Sequence, residues 1–191
     1  MNERLIYVMG PSGAGKDSLL DWLRQRIKPE SSIHFARRTI DRKVQPLGEQ
    51  HESVDTDGFE SLRQDGSFAM HWLANGQRYG VRHQQLEPLK KNHWVLVNGS
   101  RAYLMHALGQ FKGMDVLHIS ASEHILRARL LARRRESLEA IEDRVIRAVS
   151  FEIPPECQVI HLLNDTTLED AGRQMMQALA NLPDWPGRLA K

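Results

Sequence analysis

The sequence has 191 residues, of which 41% are hydrophobic and 26% are charged, with a formal net charge of +2. These values are ordinary for one globular domain, and the small net charge argues against a nucleic-acid binder that works through overall basicity. Cys157 is the only cysteine, which excludes an intrachain disulfide and favours a reducing compartment. The first ten residues lack a basic segment followed by a long apolar run, so no signal peptide is expected, and no apolar run approaches the ~20 residues of a membrane span. We therefore expect a cytoplasmic protein without a membrane or nucleic-acid partner.

Short apolar segments alternate with helical patterns along the chain. Near-continuous apolar runs predict strands buried on both faces at 4–9, 32–37, 93–98, 115–120 and 158–163. Helical spacing of apolar residues predicts helices at about 16–27, 57–65, 83–91, 100–110, 122–150 and 167–181. Such alternation is typical of an α/β fold in which helices flank a five-stranded parallel sheet.

Two further segments carry local signals. Residues 38–82 are polar, rich in Gly and His and weakly periodic, which indicates an insertion that handles a substrate or, alternatively, a flexible surface loop. Thr166 and Glu169 have the spacing of a capping box, which predicts the start of the last helix.

The first predicted strand and helix are joined by the sequence GPSGAGK, from Gly10 to Lys16. Glycines at 10, 13 and 15 let backbone N–H groups turn toward a phosphate, where side chains would block the approach. The following helix adds its positive N-terminal dipole, and Lys16 adds a mobile charge for the β and γ phosphates and a catalytic role. The motif predicts an ATP site formed by Gly10, Pro11, Ser12, Gly13, Ala14, Gly15, Lys16, Asp17 and Ser18.

Asp17 stands where phosphate loops usually carry the Ser or Thr hydroxyl that binds Mg²⁺. A carboxylate is a hard oxygen ligand that can hold Mg²⁺ directly or through water. Without a cation this carboxylate would repel the phosphates, so we predict that Asp17 is a Mg²⁺ ligand. The nine histidines have no metal-ligand spacing, so no structural zinc is expected.

The loop resembles that of the guanylate kinases, and the likeness extends over most of the chain. TIDR (39–42), GE (48–49), GQRYG (76–80), RLLAR (129–133) and LLND (162–165) are similar to elements of that family. The resemblance implies a guanylate-kinase-like P-loop NTPase fold with an acceptor site and an arginine-rich lid. It implies one kinase domain over 1–191, with a core at 1–37, 93–121 and 152–182, an acceptor-binding insert at about 38–82 and a lid at about 122–150. It also implies that Arg129 and Asn164 contact ATP and that Arg133 and Arg144 are catalytic.

The positions that read guanine in that family differ in this chain. Met70 and Asn98 stand where the family carries a glutamate and an aspartate, so two negative charges are missing. The family's phosphate-contacting residues persist as Arg42 and Tyr79, and His51 replaces a tyrosine. The segment KVQPLGE is one residue longer than the family spacing, which leaves the alignment between 43 and 50 open.

A narrower resemblance comes from GPSGAGKDSL, GEQH, GQRYG and VNGSR taken together. These segments resemble the ribose 1,5-bisphosphate phosphokinases of phosphonate breakdown, which use ATP to form 5-phosphoribosyl 1-diphosphate. A sugar bisphosphate has no base to read but carries a second phosphate, so its pocket should hold cations and neutral donors. The resemblance implies that the substrate is bound by Arg38, Arg42, His51, Arg78, Tyr79, Asn98 and Arg101.

Two other functions are weighed against this hypothesis. A guanylate kinase that phosphorylates GMP is disfavoured by Met70 and Asn98. A non-catalytic guanylate-kinase-like binding module is disfavoured by the intact phosphate loop. The arginine-rich stretch near 127–135 also suits a solvated helix face or a nucleic-acid patch. The sequence leaves a homodimer open.

Overall fold

The computed structural model describes residues 4–43, 51–132, 137–151, 153–154 and 157–186. The strands in this part of the chain are β1 (Leu5–Met9), β2 (Ile33–Phe35), β3 (Arg38–Ile40), β4 (Glu52–Ser53), β5 (Phe68–Ala74), β6 (Gln77–Arg82), β7 (Trp94–Asn98), β8 (Asp115–Ser120) and β9 (Val159–Leu163). The α-helices are α1 (Lys16–Arg26), α2 (Thr56–Gln64), α3 (Leu104–Gln110), α4 (Glu123–Ala132), α5 (Leu138–Val149) and α6 (Leu168–Leu179). Two 3₁₀ segments span His83–Lys91 and Arg101–Tyr103.

The larger sheet has the strand order β2-β7-β1-β8-β9. Strands β2 and β7 pair in parallel, as do β8 and β9. Every residue of β1 and β7 is buried, which explains the continuous apolar runs in the sequence. The predicted α/β class with a five-stranded parallel sheet is confirmed, and each predicted strand matches an observed strand to within two residues.

A second sheet with the order β4-β3-β6-β5 lies in the segment predicted as an insertion. Its strands β5 and β6 form an antiparallel hairpin. The hairpin turns at Asn75 and Gly76, whose φ angles are +51° and +72°. Two left-handed residues make the tight turn that suits the twist of a hairpin, and Asn-Gly is its strongest sequence signal. That dipeptide could have predicted the hairpin from the sequence.

Three helical predictions need correction. The stretch 122–150 forms two helices rather than one, and α5 begins after Ser137, whose hydroxyl caps the Ala140 N–H. The stretch 83–91 is a 3₁₀ segment that contains Pro88, which lacks a backbone donor. The stretch 100–110 begins as a 3₁₀ turn before α3.

The predicted capping box of α6 is wrong by one residue. Thr167 is the N-cap, and its hydroxyl accepts from the Asp170 N–H and donates to the Asp170 carboxylate. Glu169 instead accepts hydrogen bonds from the Trp22 indole and from Arg26, each at 2.8 Å. Glu169 is therefore hydrogen-bonded to residues of α1 instead of capping α6, as the local pattern had predicted.

The chain divides into two compact units. The first unit comprises Met1–Tyr7 and Ser32–Met114 and contains the second sheet. The second unit comprises Val8–Ser31 and Asp115–Lys191 and contains the segment from Gly10 to Lys16. Within the part of the chain that the structure describes, no helix is long and apolar enough to cross a membrane.

Candidate active site

The glycine-rich segment of the second unit leads directly into α1. Gly15 is the N-cap of this helix and has a φ of +86°, a left-handed conformation that suits glycine. A Cβ atom at Gly15 would also collide with the side-chain amide nitrogen of Asn164. Because glycine has no side chain that could cap the helix, the first-turn N–H groups keep their capacity to bind an anion.

Lys16 covers the loop that precedes it. Its Nζ donates hydrogen bonds to the Gly10 carbonyl at 2.8 Å and to the Pro11 carbonyl at 3.1 Å. The ammonium group is thus held over the segment that was predicted to bind phosphates. Asp17 and Ser18, the next two residues of α1, are exposed.

Asn164 braces the loop from the end of β9. Its side chain is buried, and its Nδ2 donates to the Ala14 carbonyl at 2.7 Å. The Asn164 Oδ1 is also buried and has no hydrogen-bond partner among the residues described. The neighbouring Asp165 carboxylate accepts from the Ser122 N–H at 2.7 Å, which fixes the start of α4. The resemblance implied an ATP contact for Asn164, and the geometry adds a bracing contact to the loop backbone.

Two of the predicted lid arginines reach the loop. Arg129 of α4 donates to the Gly13 carbonyl at 3.5 Å, and Arg144 of α5 donates to the Ser12 hydroxyl at 3.2 Å. Both cations therefore lie beside the predicted phosphate site. Arg133, which was predicted to be catalytic, lies outside the described residues.

Arg127 fixes the geometry of α4 against α5. It makes a two-pronged contact with Glu142, at 2.6 Å and 2.8 Å, and a third hydrogen bond to Glu123 at 2.8 Å. The hydrogen bonds to Glu142 and then Glu123 raise the pKa of Arg127, and the hydrogen bond from Arg127 lowers the pKa of Glu142. No local sequence pattern distinguishes Arg127, because its partner Glu142 lies 15 residues further along the chain.

In the first unit, one face of the second sheet combines a buried arginine with aromatic side chains. Arg38 is 8% exposed, and its guanidinium lies 5.2 Å from the centre of the Tyr79 ring. The Tyr79 ring stacks on Trp72, with centroids 5.7 Å apart and planes 4° apart. The Tyr103 ring also contacts the Trp72 ring, and their centroids are 5.5 Å apart. Arg38 and Tyr79 were predicted from the sequence, whereas Trp72 and Tyr103 were not, although Trp72 follows the strand alternation of β5.

His51 and Arg42 form a second contact in the first unit. His51 is buried, and its Nε2 lies 2.9 Å from the Arg42 carbonyl. A carbonyl only accepts, so this hydrogen bond assigns the proton to Nε2. The Ser53 hydroxyl donates to the same carbonyl at 2.8 Å. Two hydrogen bonds therefore hold the backbone carbonyl of Arg42, which restricts the position of its Cα atom.

Arg78 lies on the opposite face of β6 from its neighbour Tyr79, because side chains alternate along a strand. It forms an ion pair with Asp41 at 2.9 Å, and its backbone N–H donates to the same carboxylate at 2.7 Å. The structure therefore separates Arg78 from the Arg38 and Tyr79 cluster.

Asn98 ends β7 and is buried, and its backbone carbonyl accepts from Arg38 Nη1 at 3.3 Å. Gly99 follows, and a side chain there would collide with the ring of Tyr7. The Tyr7 hydroxyl donates to the Ser100 carbonyl and accepts from the Ser100 N–H, each at 2.9 Å. Burial raises the pKa of Tyr7 well above its ordinary value, so it remains a neutral hydrogen-bonding group. Arg101, half-buried, begins the following 3₁₀ turn.

A solved structure shares this fold. The guanylate kinase from Anaplasma phagocytophilum aligns with a TM-score of 0.64 at 17% identity, over 96% of this chain and 88% of that chain. The predicted guanylate-kinase-like fold is confirmed by this alignment. At this low sequence identity, the alignment shows a shared fold and supports no conclusion about function.

Sequence comparison identifies much closer relatives, although no model of a protein family matches the chain. Ribose 1,5-bisphosphate phosphokinase PhnN from Burkholderia mallei (strain SAVP1) is 42% identical over 180 residues, which is 94% of this chain and 97% of that protein. The protein of the same name from Janthinobacterium sp. (strain Marseille) is 43% identical over 92% of this chain, which spans 39% of that longer relative. The narrower resemblance predicted from the sequence is confirmed. The chain belongs to the family of ribose 1,5-bisphosphate phosphokinases.

Proposed function

We propose that this protein phosphorylates ribose 1,5-bisphosphate with ATP, forming 5-phospho-α-D-ribose 1-diphosphate and ADP in phosphonate catabolism. The observation that carries this proposal is the 42% identity to the Burkholderia mallei relative over nearly the full length of both chains. The intact loop from Gly10 to Lys16 supports a phosphoryl donor as the second substrate.

The second unit supplies the features that suit the triphosphate of ATP. Lys16, Arg129 and Arg144 bring three positive charges to one short loop. The N-terminus of α1 adds its dipole at Gly15. A phosphoryl group in transfer spreads negative charge over its oxygens, and fixed cations beside it lower the barrier. Arg133 remains a predicted member of this group.

Mg²⁺ fits the loop as an ion held by one carboxylate, the substrate phosphates and water. Asp17 is exposed at the start of α1, and its carboxylate would hold the ion directly or through water. Among the described residues, no group of three His, Cys, Asp or Glu side chains is placed to hold a metal ion, so these residues do not form a metal site from protein ligands alone. Mg²⁺, when bound, neutralises charge on the β and γ phosphates.

The transfer itself needs little from a general base. An oxygen of the 1-phosphate forms a bond to the γ-phosphorus of ATP while the bond to the β–γ bridging oxygen breaks, which releases ADP. The attacking phosphate is already anionic at neutral pH, so the chain has no proton to remove from it. The protein positions the two substrates and stabilises charge.

The first unit supplies the residues proposed for the acceptor. Arg42, His51 and Tyr79 are the positions at which the family resemblance predicts phosphate contacts. Asn98 is the last residue of β7, and Arg101 begins the 3₁₀ turn that follows. The Met70 side chain is fully buried on β5 and offers no hydrogen bond to the edge of a base. A site that lacks such polar partners discriminates poorly in favour of a purine.

The decisive experiment supplies ATP and Mg²⁺ with either ribose 1,5-bisphosphate or GMP and identifies the products by mass spectrometry. We expect 5-phospho-α-D-ribose 1-diphosphate from the first acceptor and little GDP from the second. Lys16→Met should lower kcat by about 100-fold or more, because it removes a charge from the transferring phosphoryl group. Lys28→Met removes the same charge from an exposed site after α1 and should have no effect.

Two results would replace the proposal. Efficient formation of GDP with no turnover of the sugar bisphosphate would identify a guanylate kinase. Failure to bind ATP in calorimetry, together with no turnover of either acceptor, would identify a non-catalytic binding module.

A further inference from the structure

We infer that the Trp72 indole occupies the place in the acceptor site where a nucleobase would stack, and that Trp72 thereby selects a sugar phosphate that carries no base. This inference rests on the proposed function and deepens it, because it names a residue that excludes nucleotides as acceptors. Trp72 was not among the residues predicted to bind the substrate.

The Trp72 indole lies parallel to the ring of Tyr79. The two residues are directly opposite each other in the β5–β6 hairpin. Their ring planes are 4° apart and their centroids 5.7 Å apart, which is an offset-stacked arrangement. A purine is also a planar system of two fused rings, and bases commonly bind proteins by stacking on aromatic side chains. The indole therefore occupies aromatic surface of Tyr79 on which a base would stack.

A second aromatic ring holds the indole in this position. The Tyr103 ring contacts Trp72 at a centroid distance of 5.5 Å, with the ring planes tilted by 33°. With both neighbours in place, only 9% of Trp72 is exposed. Close-packed side chains move only at the cost of their contacts, so a base that displaced the indole would break both aromatic contacts of Trp72.

Both aromatic neighbours of Trp72 belong to segments that are proposed to bind the acceptor. Tyr79 is a predicted phosphate contact, and Tyr103 ends the 3₁₀ turn that Arg101 begins. A phosphate bound at Tyr79 brings the rest of the acceptor close to the indole. A sugar phosphate needs room there for one small ring, whereas a nucleotide must also place the larger, planar ring system of its base.

The other neighbours on this face of the sheet do not provide an alternative place for a base. The strand register puts Ile40 beside Tyr79, and it pairs Met70 with Val81 in the next row. All three side chains are fully buried and aliphatic, so they offer no hydrogen bond to the polar edge of a base. A base that was excluded by Trp72 would therefore lose its stacking surface without gaining polar contacts from these residues.

The test compares two ligands that differ only in the base. Ribose 5-phosphate is GMP with a hydroxyl group in place of guanine, so the ratio of their affinities isolates the contribution of the base. Calorimetry measures both dissociation constants for wild type and for Trp72→Ala. For wild type, we expect GMP to bind no more tightly than ribose 5-phosphate.

In Trp72→Ala the base gains access to the Tyr79 ring. The affinity for GMP relative to ribose 5-phosphate should therefore rise by about 10- to 100-fold, the range for stacking of a base on an aromatic side chain. A purely structural role of Trp72 predicts a different result, because lost packing would weaken both ligands alike and leave the ratio unchanged.

Three further variants control for position, shape and folding. Leu73→Ala changes the next residue of β5, which is 68% exposed on the opposite face, and it should leave the ratio at the wild-type value. Trp72→Phe keeps an aromatic ring beside Tyr79 and should continue to exclude GMP. Trp72→Leu removes the planar ring but keeps an apolar side chain, and it should raise the ratio. If thermal unfolding shows that Trp72→Ala is not folded, Trp72→Leu carries the comparison.

The outcomes separate the inference from the function on which it rests. An unchanged ratio in the folded Ala and Leu variants, or a wild type that binds GMP more tightly than ribose 5-phosphate, would overturn the role of Trp72 even if the enzyme forms the expected product. If wild type does not turn over the bisphosphate, the proposed function fails, and the affinity ratios still decide whether Trp72 excludes a base.

Discussion

At the scale of single residues, Asp17 is the most informative departure in the chain. It places a carboxylate one residue after Lys16, at the exposed start of α1, where a hydroxyl usually binds Mg²⁺. A carboxylate beside a triphosphate is unfavourable unless a cation lies between them. We therefore expect turnover to depend more strongly on Mg²⁺ than it would with a hydroxyl at this position.

Replacing Asp17 with Asn should raise the Mg²⁺ concentration for half-maximal turnover by about tenfold, because the ligand loses its charge while keeping its shape. The measurement is a Mg²⁺ titration of turnover at saturating ATP. Asp21→Asn makes the same chemical change one turn later on α1, where the carboxylate pairs with Arg24, and it should leave the titration unchanged. An identical titration for Asp17→Asn and wild type would remove Asp17 from the metal site.

At the scale of secondary-structure elements, the packing of α4 against α5 determines the backbone positions of two arginines that contact the phosphate loop. Arg129 is on α4 and Arg144 is on α5, and Arg127 joins the two helices through Glu142. Hydrogen bonding to Arg127 lowers the pKa of Glu142 below its ordinary value. A lowered carboxyl pKa stabilises the folded state above the ordinary pKa, and this contribution is lost only as the pH falls through the lower folded value. The contact should thus be intact near neutral pH.

Glu142→Gln should lower kcat several-fold and weaken ATP binding, because Arg129 and Arg144 would no longer be held in register with the loop. Glu123→Gln is the matched control: it removes the other carboxylate partner of Arg127, but only within α4. Parallel measurements of kcat and ATP affinity in both variants check the prediction. Equal effects of the two substitutions would show that the contact between helices has no special role.

At the scale of the whole molecule, Asp115 makes stability depend on pH. It is half-buried at the first position of β8, and burial raises its pKa. The folded state therefore binds the proton more tightly than the unfolded state, so stability falls as the pH rises from the ordinary pKa of 3.8 through the higher folded value. Above that window the charged carboxylate opposes folding.

Asp115→Asn should therefore raise the Tm at pH 7, because the amide does not carry the negative charge that burial opposes. The gain should shrink as the pH is lowered toward 3.8, where wild-type Asp115 is itself protonated. Thermal unfolding of wild type and variant across this range checks the prediction. Asp143→Asn, on an exposed position of α5, is the control for a general charge effect, and a gain independent of pH would contradict the proposed cause.

The features that the sequence alone determined are those made by consecutive residues. The loop from Gly10 to Lys16 is one uninterrupted segment, so its glycines and lysine act together wherever the segment folds. The strands β1 and β7 were equally readable, because a strand covered on both faces is almost entirely apolar, and Asn98 at the end of β7 is the one polar residue of the two. The loop and other short consecutive segments, such as GQRYG and VNGSR, carried the resemblance that predicted the family.

Only the tertiary structure decided the contacts between residues far apart in the chain. Asn164 donates a hydrogen bond to the carbonyl of Ala14, which is 150 positions away in the chain. Glu169 accepts a hydrogen bond from Trp22, 147 positions away, instead of capping α6. The burial of Arg38 beside Tyr79, and the separation of Tyr79 from Arg78, depend on the pairing of β3 with β6. Local pattern could not supply these results, because each depends on which distant segment packs against the residue.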